Sequence, residues 1–390
     1  MTPRERVLKA LEHKEPDKVP IDLGGTLAST LTGTANQKLK DFLGIKKDGE
    51  PRTFALADCI YPLEEVFKLF EVDFRTVRMK SPDQKGSGNK GFTSTDLLNT
   101  PQGHQFIDEY GTVWQKAQYD YAPVKFAFSN KDVSDFESFT WPDPYDKGRV
   151  RGLRKEAEEL RKNTDYAIIL DIMCGGPYEN SLWVRGFDKF LEDLMIDKKF
   201  ATALLDKITE IDMGFWDAQL TEVGNLVDVV CQGEDMGMQL GMQFSPDIYR
   251  KMIKPFHKRL FSFIRSKTNA KIWLHSCGSI VPIIPDLIEI GIDIINPVQT
   301  NARDMGLAGL KKEFGKDITF WGGGIDVQNI PFLSIDEIRE RVKRNIEIMS
   351  PGGGYVFSAT HNILPETDGE KTYTAYITAV QQRDYISIKD

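Results

Sequence analysis

The chain has 390 residues, 41% of them hydrophobic and 28% charged, and carries a formal net charge of −8. No apolar run is long enough to span a bilayer, and no basic stripe exists that could track phosphates, so membrane-spanning and nucleic-acid roles are excluded. The four cysteines, Cys59, Cys174, Cys231 and Cys277, are too few and too scattered for a disulfide framework, and the charged opening MTPRERVLKALEHKEPDK lacks the apolar centre of a secretory signal. A cytoplasmic protein is the expectation.

Thr2, Pro3 and Glu5 form the signature of a capped first helix, expected to end near His13. Val19 to Leu23 (VPIDL) reads as a first barrel strand running into Gly24 and Gly25. Between residues 72 and 150 the pattern changes. FRTVRMK is followed by SPDQKGSGNKG, and then by a segment whose alternation around Tyr110 and Gly111 suggests a β-hairpin. This stretch is expected to be an insertion, closed by the proline-rich WPDPYD and followed by a charged helix from about Lys147.

Strand and helix then alternate regularly, the signal of a parallel sheet with crossover helices. YAIILDIM (166–173) precedes Cys174, Gly175 and Gly176, and helical sequence runs from about Asp188 to Glu222. LVDVVCQGED (226–235) leads to a helix capped by Ser245, with Pro246 at its first position and a face of Tyr249, Met252, Ile253, Phe256 and Leu260. KIWLHSCG (271–278) follows. After it come a short helix stopped by Gly291, the strand IDIINPVQ, a helix through Phe314, and ITFWGGGID (318–326). The next helix is capped by Ser334 with Glu337 and buries Ile335, Ile338, Val342 and Ile346; the last strand is GYVFSATHN (354–362). The fold class predicted is α/β, a single (β/α)8 TIM barrel over residues 1–390 with a hairpin-bearing insertion at 72–150. A doubly wound open sheet is the alternative, but no glycine-rich dinucleotide turn accompanies it.

Active sites of such barrels lie at the C-terminal ends of the strands. In KIWLHSCG the two-residue period of a strand turns His275 and Cys277 to one face. Imidazole and thiolate are preferred zinc donors, and two from one strand end leave room for a third ligand and an open position, as in a catalytic zinc site. A core histidine beside a buried free cysteine is the structural alternative. Of the five histidines, His361 at the last strand end is the first choice for third ligand, with Glu234 its rival or a fourth. Asp22, Asp171, Cys174, Asn296, Gln299, Asp326 and Asn362 also fall at strand ends. Asp22, Asp171, Asn296 and Asn362 are expected to contact substrate, and Glu234 or Asp235 to act as acid. The triplet Gly322, Gly323 and Gly324 could let a large flat cofactor approach the backbone, or be a turn; Gly352 to Gly354 lies at the opposite face and reads as a turn. Arg185 could meet an anionic group or form a structural ion pair.

The run LHSCGSIVPIIPDLIEIGIDIINPVQ, with ITFWGGGIDVQ and PGGGYVFSATHNILPET, resembles the uroporphyrinogen decarboxylase superfamily and, within it, the cobalamin-dependent methyltransferase branch. The likeness extends more loosely to VLKALEHKEPDKVPID, DKF and SPDIY. The resemblance implies a (β/α) barrel and, in the methyltransferase branch, zinc ligation by the His-x-Cys pair, carried here by His275 and Cys277. Decarboxylases of the superfamily carry an N-terminal arginine-rich stretch for the carboxylates of a porphyrinogen, whereas the matching IDLGGTLAST has no arginine. Thiol-activating members have a cysteine on the last strand where this chain has His361; imidazole in place of thiolate leaves zinc more positive and suited to an ether oxygen. The expectation is a zinc-dependent methyltransferase that moves a methyl group between a small donor, such as a methoxylated aromatic undergoing O-demethylation, and a corrinoid (cobalamin). The chain has no D-x-H-x-x-G corrinoid-carrier pattern, so the corrinoid is expected on a partner protein. A cofactor-free decarboxylase and a non-catalytic module that binds a corrinoid protein are the alternatives, and a homodimer is compatible with the sequence.

Overall fold

The computed structural model describes residues 1–50, 58–83, 105–117, 120–173 and 175–385. Its centre is a seven-stranded parallel sheet. In chain order the strands are β1 (Phe74–Val77), β2 (Ala167–Met173), β3 (Val229–Gly233), β4 (Lys271–His275), β5 (Ile294–Asn296), β6 (Thr319–Trp321) and β7 (Tyr355–Val356), each hydrogen-bonded to the next except that β7 and β1 are the edges. The register aligns the strand ends: His275 pairs with Gly233 on one side and with Asn296 on the other.

The stretch expected as the first strand closes the gap between those edges. Asp22 N–H donates to Phe357 O at 2.8 Å, Phe357 N–H to Pro20 O at 2.9 Å, and Asp73 N–H to Ile21 O at 3.0 Å. It forms isolated bridges rather than a ladder, because Pro20 has no N–H to give and the chain turns away at Gly24. Below this junction the buried Asp73 carboxylate accepts from Arg6, Arg383 and the Ile21 N–H, joining the first helix, the closing segment and the C-terminal region. The architecture is thus a TIM-type barrel.

Local chemistry explains the helices. The first, Pro3–Leu11, has the full capping box of Thr2 and Glu5, and Ile335–Met349 that of Ser334 and Glu337, with Ile338, Val342 and Ile346 buried. The charged helix expected from Lys147 starts at Leu153, because Gly152 at φ 74° adopts a left-handed conformation that a helix cannot include. The helical run after β2 divides at Asp197, which caps the long helix Lys198–Val223. The Ser245 helix is interrupted by a π-turn at Tyr249–Ile253 just before Pro255, where the missing proline N–H breaks the regular ladder. Between β1 and β2 stands a three-stranded antiparallel sheet, Gln105–Ile107, Val113–Lys116 and Tyr121–Lys125. Tyr110 and Gly111 lie in its first turn, and the buried pair Arg149 and Glu109 anchors that turn. No helix of the described residues is long and apolar enough to cross a membrane.

Candidate metal centre

Three of the strand-end residues converge. One ligand atom each of His275, Cys277 and His361 lies within 4.8 Å of the others. Cys277 Sγ is 3.4 Å from His275 Nε2, and the two imidazoles meet edge to face with centroids 5.4 Å apart. Strand parity brings His275 and Cys277 to the same side, and the order of the sheet carries His361 round from β7. The next residue, Gly278 at φ 80°, packs its backbone on Gly237 and Met238 of a small hairpin, so closely that a Cβ would collide with it. The loop bearing Cys277 is therefore held by a contact that only glycine permits.

The surrounding groups orient the donors. Asn296 Oδ1 stands 2.7 Å from His275 Nδ1 while Asn296 Nδ2 donates to Trp321 O at 3.0 Å, so the amide is fixed with its oxygen toward the ring. His275 Nδ1 then carries the proton and Nε2 offers its lone pair toward Cys277. Asp235 Oδ1 accepts the Cys277 N–H at 2.7 Å and lies 3.7 Å from His275 Nε2, and Gln299 Oε1 accepts the Gly278 N–H at 2.8 Å.

Burial first, and then the neighbouring His275, pushes His361 down to about 4, so at neutral pH the ring is uncharged, the form a metal ligand requires. Burial, Asp235 and Glu179 push the Cys277 thiol up. A divalent cation reverses that preference, since a coordinated thiol gives up its proton. Two imidazoles, one thiol and a carboxylate beside them form a borderline-soft donor set that fits zinc, and the hydrogen bonds that orient a ligating histidine are already in place behind it.

The remaining predicted residues have other surroundings. Glu234 is fully buried; its Oε1 accepts from the Tyr178 N–H at 2.7 Å and lies 2.8 Å from His257 Nε2. It stands outside the three-residue ligand group. Asp22 gives one oxygen to the Gly25 N–H and the other to Trp321 Nε1, and burial raises it to about 7. Asp171 accepts from the Leu27 N–H and the Tyr61 hydroxyl. Asn362 accepts the Thr30 N–H at 2.8 Å and donates to Cys59 Sγ, holding the N-terminal segment.

The three glycines expected to admit a flat cofactor have protein against them instead. The space beside Gly322 is taken by the backbone of Val298 and Ala359, that beside Gly323 by the side chains of Leu307 and Val298, and that beside Gly324 by the Phe357 ring. Gly322 and Gly323 also adopt positive φ, 117° and 74°. Of the two readings of this triplet, Gly322, Gly323 and Gly324, these contacts are those of a tightly packed turn at the end of β6. Arg185 is paired with Asp193. Asp326 bonds its own loop through the Gln328 N–H. Cys174 lies outside the described residues.

Sequence reasoning missed Glu179, His257 and Tyr61. Glu179 Oε2 lies 3.4 Å from the Asp235 N–H, and burial and the charges of Asp235 and Glu234 raise its carboxyl well above the usual range. Its signal was its place in the first turn of the helix after β2. His257 sits mid-helix and had none; the π-turn brings Tyr249 Oη within 3.2 Å of its Nδ1.

The sequence model described as Uroporphyrinogen decarboxylase (URO-D) matches residues 118–382. The fold is similar to that of a methyltransferase from Methanosarcina mazei, with a TM-score of 0.63 and 18% identity over 98% of this chain and 99% of that one. Weaker similarity links it to xylanase 10B from Thermotoga maritima (TM-score 0.38, 9% identity, 62% of this chain and 82% of that one). The same holds for a dihydropteroate synthase from Xanthomonas albilineans (TM-score 0.26, 15% identity, 38% and 52%). No curated protein sequence matches the chain.

Proposed function

We propose, for a chain that belongs to the uroporphyrinogen decarboxylase family, a zinc-dependent methyltransferase that exchanges a methyl group between a small donor and a corrinoid brought by a partner protein. The observation that carries this reading is the convergence of His275, Cys277 and His361 at the mouth of the barrel. It is supported by the absence of arginine from IDLGGTLAST, because a polycarboxylate porphyrinogen without clustered cationic partners would lose most of its binding energy. A methoxylated aromatic is the donor class that suits a His₂Cys site.

Zinc at this site supplies Lewis acidity to the donor's ether oxygen, and the corrinoid supplies the nucleophile that takes the methyl group. The chain's own residues have positional and proton-holding tasks. Asn296 keeps the His275 ring in the orientation that turns Nε2 toward Cys277. Asp235 anchors the Cys277 backbone and keeps a partly exposed carboxylate beside the donors, where it can orient or carry the proton of a leaving oxygen. Glu234 is the poorer candidate for that task, its carboxylate being engaged by His257 and Tyr178. Glu179, with its raised carboxyl, is a proton store next to Asp235.

The test is the metal content of the purified wild type and of Cys277→Ser, prepared without chelators. About one zinc per chain, lost in the variant, is the expected result for a three-ligand site. It would justify assays with methoxylated aromatics and a reduced corrinoid protein. Absence of metal from the wild type would overturn the zinc reading and bring the decarboxylase forward.

A further inference from the structure

Arg78 immediately follows β1, at the C-terminal end of that strand. The strand's parity sets its direction. Phe74 packs on Trp321 inside the barrel with centroids 4.5 Å apart, and Thr76 donates to Gly25 O at 2.6 Å. Arg75, between them, points outward to Glu64 and over the ring of Tyr166. With a period of two, Arg78 shares the inward face of Phe74 and Thr76.

There it is half-buried, its guanidinium 4.1 Å from the centroid of the Tyr61 ring. Stacking keeps the planar fork flat, and its N–H edges are unspent among the described residues. The Tyr61 hydroxyl is bonded to Asp171, which also receives the Leu27 N–H. Among the described residues no carboxylate lies within ion-pair distance of Arg78, whereas its half-buried or buried counterparts Arg75, Arg149 and Arg185 are paired with Glu64, Glu109 and Asp193. A guanidinium withdrawn from water without an anion is an incomplete pair, and a ligand that supplies one regains the cost.

We propose that Arg78 is the anion-recognition residue of the barrel mouth and that the methyl donor is an aromatic carboxylate, its carboxylate on Arg78 and its methoxy group toward His275, Cys277 and His361. This rests on reading the mouth as the donor's site. β1 and β4 are three strands apart in the ring, so the two recognition points stand across the mouth from one another. One arginine matches one carboxylate, in contrast with the several that a porphyrinogen would bring.

The test is calorimetric binding of para-methoxybenzoate and its neutral isostere para-methoxybenzamide to the full-length chain, without corrinoid. Wild type should prefer the benzoate at least about tenfold, the ratio expected for one charge-assisted bidentate contact. Arg78→Gln should bring the ratio near one, and Arg78→Lys, which keeps the charge and loses the fork, should give an intermediate ratio. If Arg78→Gln melts early, the lysine variant still reads the contact. Absence of a preference in wild type, whether both ligands bind alike or neither binds, overturns the proposal, as does an unchanged ratio in both variants. An Arg78-dependent preference in a chain that never transfers methyl would leave this assignment standing and remove the methyltransferase reading instead.

Discussion

Neighbouring strand ends in this barrel carry a similar pairing of histidine with an acid, and the two have opposite surroundings. At the end of β4, His275 Nε2 and Cys277 Sγ face one another and lie beside His361, with Asp235 alongside. At the end of β3, Glu234 is buried, and His257 and the Tyr178 N–H take up its Oε1. Inside the first group the contacts are one long thiol–imidazole contact and an edge-to-face ring pair; the second is closed on itself by shorter hydrogen bonds. What separates a site from a strut here is therefore saturation by partners rather than residue type or strand position.

The contrast breaks most visibly at His257. His257→Leu leaves the Glu234 carboxylate buried without its imidazole, which should cost on the order of 3–5 kcal/mol of stability. Denaturant unfolding should register that loss while zinc content per folded chain stays at the wild-type value. The reverse pattern belongs to Cys277→Ser: metal lost, stability of the metal-free chain little changed. If His257→Leu also emptied the metal site without unfolding the chain, the division between the two groups would fail.

A third strand-end acid, Asp22, belongs with the saturated class, and pH exposes it. Burial raises its folded-state value from the ordinary 3.8 to about 7 although Gly25 and Trp321 donate to it. The folded chain keeps this proton over a range where the unfolded chain has released it. Asp22 therefore withdraws stability as pH rises from about 4 to about 7, after which its effect is constant. The total is on the order of a few kcal/mol. Asp22→Asn should flatten that part of the stability profile. Thermal unfolding at about pH 4.5 and about pH 7.5, either side of most of that range, checks it; equal pH slopes in wild type and variant would contradict the assignment.

The sequence carried the parts of this picture that depend on local rules. Thr2 with Glu5 and Ser334 with Glu337 are capping boxes whose chemistry is complete within four residues, and the alternation of strand and helix implies the barrel. The His-x-Cys pair was readable because both members share one strand and one parity. Saturation was not readable. Glu234 and Asp235 are adjacent in sequence, and only the tertiary placement of Gly176 explains why they differ: a Cβ at that position would collide with the Glu234 carboxylate, so glycine admits the helix start whose Tyr178 N–H Glu234 accepts. The Gly322, Gly323 and Gly324 triplet keeps two readings in the sequence for the same reason, since a glycine leaves room for a close approach without saying whether a ligand or a neighbouring side chain makes it. His257 gave no signal because a π-turn, set by a proline two residues before it, determines its direction. Arg78 was hidden for the converse reason, since an arginine's pairing cannot be seen until its neighbours are known.

The smallest effect tests the finest distinction, that between holding a donor and being one. Asn296 touches His275 through Nδ1 only, and its own amide is fixed by Trp321 O. Asn296→Leu removes the acceptor that settles the imidazole tautomer without removing a donor from the cluster. Zinc affinity, read by competition with a chromogenic chelator, should fall about 10- to 100-fold, the usual consequence of losing a partner behind a ligating histidine. Asn296→Asp should restore or exceed wild-type affinity, because a carboxylate accepts the same N–H more strongly. A fall as complete as that of Cys277→Ser would make Asn296 a direct ligand, and no fall at all would mean that packing against Trp273, whose ring lies 5.8 Å from that of His275, is enough to hold the imidazole. Either result would move the boundary between site and support that the two strand ends define.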